Sequence, residues 1–179
     1  LIDWTDTTLD GTTEYKIPGF GSGWSYWVTK DFVAEDHCAP TALTNILWYR
    51  GWQSTTNANN IIRNKVTNGS TDAATATNLF WRLYTLLGTN GGNPGTPYAN
   101  VPSALTHYLG VTPQSGGVWN YREVELFPVL FDTVAEQCPI YMKIERGEKG
   151  HAVFVLGRIR DTGGSKYLIV LDGWNRKGV

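Results

Sequence analysis

The hydrophobic pattern changes period once along the chain, and that change does most to restrict the fold. Between about residues 38 and 109 apolar side chains recur at helical spacing. Between 139 and 172 they come instead in short runs rich in Ile, Val, Tyr, Leu and Phe. Helices followed by strands argue against an alternating βαβ chain and predict an α+β fold with an antiparallel sheet.

The helical part opens at Cys38. Ala39, Ala42, Leu43, Ile46 and Leu47 fall at i, i+3, i+4, i+7 and i+8, one apolar face. Pro40 sits in the first turn, where its missing N–H costs nothing, and Gly51 offers a C-cap. A second helix is expected over 72–87, with Leu79, Phe80, Leu83 and Leu87 inward and Gly88 closing it. Shorter helices are expected over 102–109 and 128–137. Strands follow over 139–145, 151–160 and 166–172, the last two joined by the Gly-containing loop 161–165. Residues 1–30 show no sustained period and read as an irregular or partly extended arm. The expected layout is one domain over 1–179: the arm (1–30), a mainly helical part (31–137) and a β-sheet part (138–179).

At 179 residues there is enough chain for one real core. A net charge of -1 gives no electrostatic case for nucleic acid. No apolar run approaches the roughly 18–20 residues of a membrane span. Abundant Trp and Tyr, with Asn, Thr and Gly, suit a secreted or cell-surface protein, and the single sequon is Asn68-Gly69-Ser70. The start at Leu1-Ile2-Asp3 fits a processed N-terminus with a pro-segment removed, and fits an arbitrary boundary as well. Two cysteines, Cys38 and Cys138, stand in different local settings, at a helix start and at the head of a β-rich run. Separate roles are expected rather than one bridge.

A helix N-terminus stabilises an anion, so Cys38 is placed to act as a thiolate nucleophile, its own amide forming part of an oxyanion hole. Such a thiol needs an imidazole partner. His37 is its neighbour in sequence, and adjacent side chains diverge. His107 lies in an apolar short helix and reads as a partly buried structural residue. His151 opens an apolar strand and is the best base. Antiparallel pairing about the 162–164 loop brings Asp172 beside His151, where it can orient the ring. Trp174 is a candidate shield for the pair. Asp36, His37 and Cys38 lack the spacing of a zinc site, and no metal or other cofactor is expected.

Asp36-His37-Cys38-Ala39-Pro40-Thr41-Ala42, with Asn45 after it, resembles the nucleophile helix of bacterial papain-like cysteine peptidases of the C39-like group. Gly150-His151-Ala152-Val153 resembles their His strand, and Leu171-Asp172-Gly173-Trp174 the element that orients the His. The resemblance spans roughly residues 30–175. It implies a papain-like fold, the nucleophile helix packed on an antiparallel sheet or half-barrel, and a peptide or protein substrate. It implies peptide-bond hydrolysis by a Cys38–His151–Asp172 triad. Two departures stand out. The position that usually carries the oxyanion Gln is Phe32, so either another donor serves, such as Gln53 or an Asn, or the site is impaired. The chain ends a few residues after Asp172, where relatives usually add a closing strand; either the N-terminal arm supplies it or the natural protein continues. The same triad would also suit an amidase or a transglutaminase-like acyl transferase. A non-catalytic module binding peptide or glycan through Trp24, Trp27, Trp52 and Trp81 is the alternative of a different class.

Overall fold

The computed structural model describes residues 11–17, 26–53, 56, 61, 72–110, 130–132, 134, 139–146 and 149–174. Trp24, the Asn68 sequon, Cys138 and most of the helix expected over 128–137 lie outside them.

Helix α1 spans Cys38–Trp52. Most of its expected stripe is buried, with Ala39, Ala42, Leu43 and Leu47 in the core and Ile46 half-buried beside them. The helix does not end at Gly51. It runs through that buried glycine to Trp52, and Gln53 follows in right-handed helical conformation. Tertiary packing holds the last turn, so the glycine's left-handed option goes unused. Helix α2 spans Asp72–Leu87, and Gly88 turns the chain at φ +63°. Leu79, Phe80, Leu83 and Leu87 are fully buried, as the spacing predicts. Helix α3 spans Asn100–Leu109 and ends on Gly110 in the left-handed conformation.

Among the described residues the sheet is four-stranded and antiparallel: β1 (Gly11–Lys16), β2 (Ile140–Arg146), β3 (Lys149–Asp161) and β4 (Lys166–Leu171). β3 is its spine. Ile140↔Val155 to Arg146↔Lys149 pairs β2 with its first half, and Gly11↔Asp161 to Lys16↔Gly157 pairs β1 with its second half. β4 runs along the opposite edge. The arm therefore contributes a strand, with a register shift between Thr13 and Tyr15, and covers a stretch of β3 that would otherwise present unpaired backbone.

Residues 152–156 of β3 are buried without interruption, because both faces are covered. Phe154 and Leu156 pack with Tyr49 of α1, Ile17, Ile169 and Leu171. Val153 and Val155 point the other way, toward Val134 and Val170. Ala152 joins the third cluster, built from α1, α2 and α3. The period of two thus aims Ala152 at α1 and leaves His151 at the strand's rim.

β3 carries a bulge between Val155 and Gly157, where β1 crosses closely. A Cβ at Gly157 would stand 2.2 Å from the Tyr15 carbonyl oxygen and 2.8 Å from the Lys16 Cα. Backbone atoms cannot step aside as a flexible side chain can. Gly157→Ala is therefore expected to destabilise the protein by about 2–4 kcal/mol, read by urea or thermal unfolding. An unchanged midpoint would mean that β1 does not lie where it is described.

Candidate active site

Cys38 occupies the first position of α1, half-buried and with a free thiol. Three main-chain amides act on its sulfur: that of Ala152 on β3, that of Ala39 and its own. Each favours the thiolate, as a helix N-terminus should. Burial outweighs them. It pushes the thiol above its ordinary 9.0, and the charge of Asp36 pushes the same way. The helix N-terminus is visible in the sequence, whereas the desolvation arises only from packing.

Asp36 holds φ +45°, a conformation costly for most side chains and mild for Asp or Asn. It stands exposed at the turn into Cys38. Asp36→Asn keeps that backbone and removes the charge. The variant's Cys38 is expected to alkylate faster with iodoacetamide at fixed mildly alkaline pH, its reactivity midpoint moving down. A midpoint that stays or rises would show that the Asp36 charge does not reach the thiol.

His151 begins the apolar run of β3, opposite Ile144. Its Nε2 lies 2.7 Å from the main-chain oxygen of Asp172. A carbonyl only accepts, so Nε2 carries the hydrogen and the neutral ring keeps its lone pair on Nδ1. The indole of Trp174 stacks on the imidazole at 4.0 Å and 18° while staying half exposed. Burial lowers the pKa of His151 below its ordinary 6.5, against the opposing pull of the Asp172 carbonyl and carboxylate.

Asp172 follows β4 and is buried. Its Oδ1 accepts the Trp174 amide at 2.8 Å, closing a tight turn across Gly173 at φ +79°. His151 Nε2 thus bonds the Asp172 main chain, while the Asp172 carboxylate accepts the Trp174 amide and acts on the ring as a nearby charge.

The structure joins Cys38 to β3 at Ala152, the residue after His151, and joins His151 to Asp172. The other histidines stand apart. His107 is exposed in the last turn of α3 rather than partly buried, because it falls off that helix's apolar face of Val101, Ala104 and Tyr108. His37 is buried and its Nε2 donates to the Thr29 carbonyl at 3.0 Å. Phe32 is buried in a parallel stack on Phe80, 4.0 Å between centroids, and offers no donor. Gln53 cannot supply one either. It lies at the far end of α1, about 22 Å away along a 1.5 Å rise, bonded to Tyr49 and Arg50.

Tyr141 on β2 escaped the sequence reading. Its hydroxyl is pushed well above the usual range by burial first, then by proximity to ionised Cys38 and Tyr98. Lys143, two residues on, lies over the Tyr98 ring at 5.0 Å. A tyrosine in an ordinary β run carries no sequence signal that it faces a thiol some hundred residues earlier. Among the described residues no cluster of His, Cys, Asp and Glu could hold a metal ion, and no helix is long and apolar enough to cross a membrane.

The family model described as Peptidase_C39 like family matches residues 24–178. No curated protein and no solved structure matches the chain.

Proposed function

The chain belongs to the Peptidase_C39 like family and has the α+β, papain-like fold expected from its sequence, and from that premise we propose that it hydrolyses peptide bonds with Cys38 as nucleophile and His151 as base. Asp172 orients His151 through its main-chain oxygen. The observation that carries this reading is the tautomer. Nε2 donates its hydrogen to the Asp172 carbonyl, so in the neutral ring the basic lone pair is on Nδ1, the atom that would take up a proton. The Ala152 amide, next along the strand, acts on the Cys38 sulfur.

In the proposed reaction the Cys38 Sγ attacks the peptide carbonyl carbon as its proton passes to His151 Nδ1. The Cys38 amide, at a helix N-terminus, donates to the developing oxyanion. The C–N bond breaks, the leaving amine takes the proton from His151, and a thioester remains on Cys38. Water then attacks the thioester, giving up a proton to His151. The C–S bond breaks, the carboxylic acid leaves and the sulfur regains its proton.

The test is incubation of the protein with a complex pool of peptides, with new termini read by mass spectrometry. New free carboxyl termini, suppressed by prior alkylation of Cys38, are the expected result. Products joined to an added amine would instead indicate acyl transfer. A pool left unchanged, with peptides retained on the protein, would favour the non-catalytic module and overturn the hydrolase reading.

A further inference from the structure

The main chain of Thr29 ties together two segments that the sequence keeps far apart. Its amide donates to the Gly173 carbonyl at 2.6 Å. Its carbonyl accepts from His37 Nε2 at 3.0 Å. Gly173 belongs to the turn whose preceding carbonyl holds His151, and His37 caps the helix that begins with Cys38. The contact is close on both sides: a Cβ at Gly173 would meet Thr41 of α1 at 3.6 Å and Thr29 at 3.8 Å. The segment bearing Thr29 is itself clamped to α1. Asn45 accepts from the Trp27 amide and donates to the Trp27 carbonyl, both at 2.8 Å, so the bridge has a fixed base.

We infer that His37 is a positioning residue that sets the placement of Cys38 relative to His151 by anchoring the Thr29 main chain. The inference rests on the reading that Cys38 and His151 act together. A purely space-filling role would be served as well by an apolar ring. His37 packs edge-on against Phe80 at 5.3 Å, as a phenylalanine would. It also buries an Nδ1 that has no hydrogen-bond partner, a cost that an apolar ring avoids. What the imidazole adds at this position is the Nε2–H donor, and that donor is spent on the bridge.

Each arm of the bridge can be cut separately. His37→Phe keeps the ring against Phe80 and removes the donor. His37→Gln restores an amide donor at similar reach. Thr29→Pro deletes the amide that holds Gly173 and leaves the carbonyl in place. Proline suits that site, because Thr29 opens a 3₁₀ turn after an extended Val28. Two readouts are used: steady-state cleavage of a peptide identified from the pool above, and the His151 ring titration followed by NMR.

His37→Phe and Thr29→Pro are each expected to lower kcat roughly 10- to 100-fold with KM changed less than about threefold, the signature of misplaced reacting groups. In both the His151 midpoint moves up toward 6.5 as its turn loosens, and His37→Gln recovers most of the rate. A folded His37→Phe with kcat and titration unchanged would overturn the inference, as would a His37→Gln no better than His37→Phe. Should His37→Phe fail to fold, Thr29→Pro decides by the same two readouts. Failure of the peptidase reading shows separately, as cleavage that survives Cys38→Ala. The His151 titration reports the bridge whatever the activity.

Discussion

Cys38→Ser is expected to lower peptide cleavage by roughly 10³-fold or more while leaving the melting temperature close to that of the wild type. The substitution exchanges one atom at a half-buried position, so packing at the start of α1 changes little. The chemistry changes more. A hydroxyl gives up its proton far less readily than a thiol, and burial already penalises the anion at this site. The amides of Ala152, Ala39 and residue 38 offset part of that penalty for a large, polarisable sulfur. Initial rates on one cleaved peptide, with melting curves beside them, make the check. A serine variant within tenfold of wild type would remove Cys38 from the chemistry, and with it the proposed function.

Much of this arrangement is legible before folding. The spacing of Leu79, Phe80, Leu83 and Leu87 gives α2, because one apolar face and a closing glycine leave a helix few other ways to pack. The run from Ala152 to Leu156 gives the sheet's spine for the same reason: five consecutive buried residues suit a strand covered on both faces. What escapes is whatever depends on tertiary contact. Gly51 stays helical because its neighbours bury it, a fact absent from its local sequence. The arm pairs with β3 as β1 although its residues carry no clear alternation, since the ladder is stabilised by main-chain hydrogen bonds that any side chain permits. At the candidate site, residue order proposes Cys38, His151 and Asp172 but does not say which oxygen of Asp172 faces the ring. The bulge at Val155–Gly157 shifts the register by one residue, and the turn across Gly173 then presents a carbonyl to Nε2. The desolvation that raises Cys38 and lowers His151 is likewise a property of the packed fold.

That desolvation leads to the second large effect. Burial favours the neutral form of both groups, raising the thiol and lowering the imidazole, so on the proposed reading the expected resting state at neutral pH is thiol and imidazole rather than thiolate and imidazolium. The base must be neutral to accept the proton. Cleavage should therefore hold level through neutral pH and fall only once His151 protonates, below its ordinary 6.5, then by about tenfold per pH unit. A preformed ion pair would instead keep Cys38 alkylating rapidly at acid pH. Here iodoacetamide should react slowly at neutrality and accelerate only on the alkaline side. His151→Ala is expected to cost roughly 10³–10⁴-fold in kcat and to abolish the acid limb, since no base then titrates there. Asp172→Asn should behave differently. The main-chain carbonyl that holds Nε2–H survives, and the amide oxygen can still accept from the Trp174 amide. A loss within about tenfold is therefore expected, against the roughly 10⁴-fold seen where a carboxylate itself fixes the tautomer. Rates for the two variants across pH 4–9 separate these cases. A collapse in Asp172→Asn as deep as that in His151→Ala would move the orienting role from the carbonyl to the carboxylate.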